Sequence, residues 1–381
     1  MEEVEQDREG TGGQGSGDGG GQGRKLESPP KGVVSRVRFS PHSNTLLVSS
    51  WDPGFSTHSN IHLVSSLGST VNLYNVDENA LRTKFHHRAQ ALDCCFIDDS
   101  SALSAGSDGT LTRYNFITGT EEILGKHDSV VSCVEFSQST GHIMTGSWDK
   151  TLRLWDSRAN GGVSSNKHVQ PGAVECMSLF GYYLVVASGM VAINIYDLRN
   201  MSGPMQEKES PLKYNTNCVC CYQDEAGYAI GSVEGRIALE FIDSSEAAEA
   251  NTYAFRCHPK SNRARYYYVA VNAIEFHPID GRFMTGNNEG YCILWDRNRK
   301  KRLYEFAQYP ASITSLSYNQ DGQLLAVAAS YSNQEYDKGN ETTQIFIENV
   351  PDTKEFTDSC KSYANNDITN QFCGSPSKVK D

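Results

Sequence analysis

An all-β fold, a seven-bladed propeller closed into a ring, is what this 381-residue chain predicts, and three observations carry the prediction. Apolar residues alternate with polar ones over short runs, the period of a half-buried strand. Gly (33) and Tyr (19) are plentiful, a balance that suits many short strands and turns better than a helical bundle. One unit also recurs: an alternating strand, a Gly/Ser strand ending in a tight turn, then a strand closing in aromatic-Asp or aromatic-Asn.

The units follow in order along the chain. Blade 1 begins at 34–39 and closes at Tyr74-Asn75; blade 2 begins at 92–96 and closes at Tyr114-Asn115. Blade 3 is clearest: Val131 to Phe136, then Thr145-Gly146-Ser147-Trp148-Asp149, then Leu152 to Asp156. Blade 4 closes at Tyr196-Asp197, blade 5 near Phe241, blade 6 at Trp295-Asp296, and blade 7 runs from Ile313 to 344–347. The closings at 75, 115, 156 and 197 are spaced by the four-strand blade period. Later blades are stretched by loops at 244–268 and 331–343. Seven units close a ring without a long exposed sheet edge. The strand at 33–39 is expected to complete the blade that holds 344–347. The propeller thus occupies 31–350, between a disordered Gly-rich acidic tail at 1–30 and a polar C-terminal tail at 351–381.

Blade 1 carries an irregularity. His42-Ser43-Asn44 followed by Leu47-Val48-Ser49-Ser50 recurs as His58-Ser59-Asn60 followed by Leu63-Val64-Ser65-Ser66, within an insert at 53–68. Either copy can fill the blade. If the second does, Trp51 is expelled and Leu67 takes its place.

Composition excludes several classes. No apolar run reaches the ~18 residues of a membrane span. The N-terminus reads as neither a secretory signal nor a transit peptide. Eleven cysteines without paired C-x-x-C units read as buried free thiols of a reducing compartment, cytosol or nucleus, with no metal site. Cys218 and Cys220 should share one strand face and Cys221 the other. A net charge of −12 argues against direct nucleic-acid binding.

Few residues invite chemistry. His127, Asp149 and Trp155 have the spacing of a WD repeat, in which His and Asp hydrogen-bond and the indole N–H joins them. No nucleophile turn accompanies the pair, so it reads as structural, and no catalytic residue or cofactor is expected. The tight turns between second and third strands lie on one rim. Their tips carry Trp51, Ser107, Trp148, Gly189, Val233 and Asn288, with Tyr331 in blade 7. Aromatic tips have no core to serve and read as partner anchors, with Lys213 and Arg236 beside them for acidic groups. Arg297, Arg299, Lys300, Lys301 and Arg302 form a basic run placed between blades 6 and 7, read first as a solvated loop and second as an import signal or acidic-partner contact. Leu154-Trp155-Asp156-Ser157-Arg158 fits a pattern that docks adaptors of cullin-based ubiquitin ligases.

Residues 33–350 resemble the third member of the budding-uninhibited-by-benzimidazole family, the mitotic spindle-checkpoint WD-repeat proteins. The resemblance rests on Val48 to Asp52, Thr145 to Asp149, Tyr196 to Met201, Leu212-Lys213-Tyr214, Gly231 to Arg236, Tyr253 to His258, Lys300 to Leu303 and Tyr309 to Ile313. A sister family of nucleoporin-binding messenger-RNA export factors shares some of these pieces. The resemblance implies a non-enzymatic scaffold of nucleus and cytoplasm, placed at the kinetochore in mitosis. It implies that one rim binds the GLEBS segment of a checkpoint kinase or pseudokinase, which is then brought to phosphorylated repeats of a kinetochore scaffold. Trp51, Trp148 and Arg236 inherit contact roles by match. Where the family has an Arg after Lys-Tyr-x-Thr, this chain has Asn217, and a neutral amide does not replace a bidentate guanidinium. Export adaptor and ubiquitin-ligase receptor remain the alternative functions.

Overall fold

The computed structural model describes residues 23–51, 69–158, 164, 166–243, 245, 252–257, 269–330 and 343–350. They form seven four-stranded antiparallel sheets and, among the described residues, no helix. In blades 1 to 6 the four strands follow one another in sequence, inner to outer. The inner strands are Val33–Phe39, Ala91–Asp98, Val131–Phe136, Val174–Phe180, Thr216–Cys221, Val271–Phe276 and Ile313–Tyr318. Each touches the next, and the seventh touches the first, so the ring is closed.

Blade 3 shows why these sequences make blades. Its second strand, His142–Ser147, buries consecutive residues completely, Ile143 on one face and Met144 on the other. Ile143 packs with Leu103 and Leu111 of blade 2, and Met144 with Val174 and Leu184 of blade 4. A strand sandwiched between two sheets loses its polar alternation. Outer strands such as Thr120–Lys126 stay largely exposed and bury too little to show a period, so sequence periodicity passed over them. One, Tyr253–Arg256, lies inside the stretch expected to be loop.

Every inner strand bears a β-bulge near its start, as at Val131/Cys133 and Thr216/Cys218. The extra residue is swung out of register and its side chain reaches sideways. Ser35 donates to the Ala91 carbonyl (2.6 Å), Ser132 to that of Val174 (2.6 Å), Asn217 to that of Val271 (2.9 Å) and Asn272 to that of Ile313 (3.1 Å). These bonds staple neighbouring blades together.

Ring closure departs from expectation. The strand at 33–39 is the inner strand of blade 1. The closing strand is Arg24–Lys25, which pairs with Ile347 and Phe346 of blade 7, inside the stretch assigned to the N-terminal tail. Leu26 follows it into the core between blades 7 and 1, 3% exposed among Val34, Tyr74 and Ile345. Glu348 ties the latch down, accepting from the Gly23 amide (2.8 Å) and the Tyr309 hydroxyl (2.7 Å).

The first copy of the duplicated strand fills blade 1. Thr45–Trp51 pairs with Val33–Phe39 on one side and Thr70–Asn75 on the other. Leu46 shows the physical reason, being fully buried beside Val34 and Tyr74. In the second copy its counterpart is His62, and an imidazole there would lose its hydration without a partner in that apolar core. The insert itself, 53–68, lies outside the described residues.

Candidate partner-binding rim

The rim is built by a repeated device. The amide at the tip of each second-to-third-strand turn donates to the carbonyl just before the inner strand: Ser107 to Gln90, Trp148 to Val130, Gly189 to Ala173, Val233 to Asn215 and Asn288 to Ala270. Trp51 extends the blade 1 pairing at the same level, opposite Val33. The tips expected to share a rim therefore do. Tyr331 lies outside the described residues.

The network beneath the blade 3 tip explains its rigidity. His127 Nδ1 meets Asp149 Oδ2 at 3.0 Å and Nε2 meets Thr145 Oγ1 at 2.7 Å, while the Trp155 indole donates to the same Thr145 oxygen at 2.8 Å. Thr145, which joins the imidazole to the indole, is one of two members that sequence reading missed. Thr151 completes it, donating to Asp149 at 2.5 Å. Burial lowers the His127 pKa against the pull of Asp149, so the ring is neutral near pH 7. Burial raises Asp149, but hydrogen bonds from Thr151, His127 and the Asp128 amide outweigh it and hold the carboxyl down to about 2. Both shifts act in one direction. As pH falls below the ordinary histidine value the unfolded chain binds a proton that His127 refuses; from 3.8 down to about 2 Asp149 does the same. Asp149→Asn should remove the lower window, about 1–2 kcal/mol after allowance for partial exposure. Urea midpoints measured from pH 7 to pH 2 would show it. This pair holds a blade together, and among the described residues no set of side chains could grip a metal ion.

On top of that scaffold, apolar groups stand in the open on blades 3 to 5. Trp148 is 50% exposed, Met190 65%, and Val169 and Tyr214 add to them on the same rim. Lys213 shares the 210–215 connection with Tyr214 and has a left-handed backbone (φ 57°), costly for a residue with a Cβ. Arg236 begins the third strand of blade 5 and lies directly opposite Arg256 on the fourth. Like charges facing each other across strands repel unless an anion lies between them. Arg256 donates to the Glu234 carbonyl at 2.5 Å, and Arg236 Nε is buried with no hydrogen-bond partner. Met190, Tyr214 and Arg256 were not singled out as rim residues from sequence; each sits one position from a residue or inside a motif that was.

Two expectations change in detail. Asn217 is the bulged residue of blade 5, and its amide is engaged with Val271 and with Asn272 Oδ1 (3.0 Å). The basic run at 297–302 is the last hairpin of blade 6, not a connection to blade 7: Lys301–Glu305 is that blade's outer strand. Arg297 pairs with Asp224 at 2.5 Å over the Tyr222 ring, Lys300 lies over Tyr253, and Arg302 pairs with Glu305. Arg158 is exposed after Asp156, whose carboxylate caps its amide at 2.9 Å. The three strand cysteines divide as expected, Cys218 and Cys220 in one core and Cys221 in the next. The nine cysteines among the described residues are free thiols.

A closed ring of seven four-stranded blades with a His–Asp–Thr–Trp network defines a WD-repeat β-propeller, and residues 120–156 match the family model for the WD domain, G-beta repeat. At 49% identity the chain is similar to "Mitotic checkpoint protein BUB3.1" of Arabidopsis thaliana, over 86% of this chain and 93% of that protein. It is 36% identical to "Mitotic checkpoint protein bub3" of Dictyostelium discoideum (86% and 94%), and 31% to "Spindle assembly checkpoint protein bub3" of Schizosaccharomyces pombe (78% and 88%). The chain belongs to the BUB3 family of mitotic checkpoint WD-repeat proteins.

Proposed function

We propose that this propeller is a non-enzymatic adaptor of the spindle checkpoint, acting in nucleus and cytoplasm and at the kinetochore in mitosis. Its rim over blades 3 to 5 binds the GLEBS segment of a checkpoint kinase or pseudokinase. Phosphorylated repeats of a kinetochore scaffold are the second ligand. The observation that carries the reading is the combination on one rim of an exposed Trp148 and Met190 with the facing guanidiniums of Arg236 and Arg256. Exposed aromatic and thioether groups give a segment apolar anchors, and guanidiniums hold carboxylate or phosphate in two-pronged contacts.

Calorimetric titration of a GLEBS peptide into the intact chain tests it. Trp148→Ala and Arg236→Ala should each weaken binding by about 2 kcal/mol, roughly thirtyfold. Unchanged affinity in both would move the ligand off this rim. Asn217→Arg should tighten binding to a peptide carrying Glu, because a guanidinium at this bulge adds a charge-assisted donor. Equal affinity would mean that the peptide's carboxylates lie elsewhere.

A further inference from the structure

Blade 2 keeps the histidine and turn aspartate of blade 3 but lacks the side chain that fills the groove beside them. In blade 3 that side chain is Arg153. Its Nη1 donates to the Lys126 carbonyl (2.9 Å), and its Nη2 to Asp128 (3.2 Å) and Asp149 (3.4 Å). Strand register identifies the counterpart: Thr112 faces Ser104 as Arg153 faces Thr145. Asp108 stands for Asp149, and at the ends of the outer strands His86 stands for Lys126 and Arg88 for Asp128. Threonine is too short to span the groove, and a cavity of about 230 Å³ opens there, lined by His86, His87, Thr112, Tyr114 and Glu121 among others.

One of the lining residues, His87, carries a buried polar atom without a partner. His87 is 6% exposed, and no hydrogen bond reaches its Nε2. In blade 3 the same atom of His127 meets Thr145. Here the counterpart hydroxyl, Ser104, is turned to Tyr114 at 3.0 Å. His87 Nδ1 lies 2.9 Å from the Ala89 carbonyl and 3.2 Å from the Ala89 amide. In the tautomer that donates from Nδ1 along the shorter contact, Nε2 presents a lone pair and calls for a donor. The charges agree. Asp108 lies beside the imidazole and Glu121 at the cavity wall, while Glu122 is already held by Arg113 at 2.7 Å. Arg88, exposed at the lip, is the opposing charge.

We propose that this groove between blades 1 and 2 is a docking slot for an arginine side chain of a partner segment, which takes the place Arg153 occupies in blade 3. The slot lies apart from the exposed patch on blades 3 to 5 and does not depend on the reading of that rim.

Methyl NMR of the full chain tests it, with Thr112 and Thr110, which also lines the cavity, as reporters. The probe is N-acetyl-arginine methylamide, and its control is the neutral isostere, N-acetyl-citrulline methylamide. The arginine probe should shift both methyl signals saturably and bind about tenfold tighter than citrulline. Glu121→Gln, an exposed change that leaves the blade intact, should weaken it severalfold. Thr112→Arg should supply the guanidinium from within and abolish the Thr110 shift. Equal response to both probes, no response in the parent, or an unchanged response in Glu121→Gln would overturn the proposal.

Discussion

Arg38→Ala is expected to destabilise the propeller by about 3–5 kcal/mol. Arg38 projects from the inner strand of blade 1 and reaches Glu135 on blade 3 at 2.6 Å, with both side chains mostly buried. Arg36 meets Asp93 nearby at 3.4 Å, and Asp93 in turn accepts from the Val134 amide at 3.0 Å. Burial lowers the Arg38 pKa, but Glu135, Glu275 and Asp93 outweigh it and keep the guanidinium charged. Burial raises Glu135, and Arg38 opposes that rise. Without Arg38 the Glu135 carboxyl would rise further above its unfolded value of 4.5, so the variant loses stability as pH climbs through that range. The deficit should be full at pH 7 and shrink toward pH 4.5. Denaturation midpoints at the two pH values would show it; a deficit independent of pH would mean that packing, not charge, is lost. Arg38→Met with Glu135→Leu should recover most of the stability, because a pair removed together leaves no orphan.

The second large effect belongs to the latch. Leu26→Ala should cost about 2–5 kcal/mol, the range for truncating a fully buried leucine. The same truncation at exposed Val169 should stay within about 0.5 kcal/mol. A chain that begins at residue 31 lacks Arg24–Lys25 as well, and bares the edge of Gln344–Asn349 to pairing with other chains. It should melt earlier and aggregate on heating, which calorimetry with light scattering would record. If Leu26→Ala melts with the parent, the latch contributes nothing to closure.

Those two sites mark how far the sequence could be read. The inner strand of blade 3 was legible to the residue, at 131–136, and those of blades 1 and 2 to within a residue or two, because their alternation and the turns after them are local signals; those of blades 4 and 5 were not assigned. Outer strands were not, since a strand packed on one side only has little apolar content to display. The latch was hidden for a related reason. A two-residue strand beside a Gly-rich stretch has no period at all, and only its partner at 344–349 makes it a strand. At the rim, Trp148 was legible because a tryptophan at a turn tip is out of place there. The opposition of Arg236 and Arg256 depends on register across a long connection, which no local pattern encodes. The arginine-shaped vacancy of blade 2 became visible only when two blades were laid over each other.

The bulge staples also bear on how this molecule comes apart. Ser35, Ser132, Asn217 and Asn272 each donate from one blade to the next in the same sense around the ring. A linear repeat array has terminal units that fray first, because they have one neighbour instead of two. Here blades 7 and 1 are joined as well, by bonds of the opposite sense: the Val37 and Phe39 amides of blade 1 donate to Ser315 and Ser317 of blade 7 at 3.1 and 3.0 Å. No blade is terminal, so none has a lower threshold for opening, and slow-exchanging amides should be shared among all seven inner strands instead of graded from one end to the other.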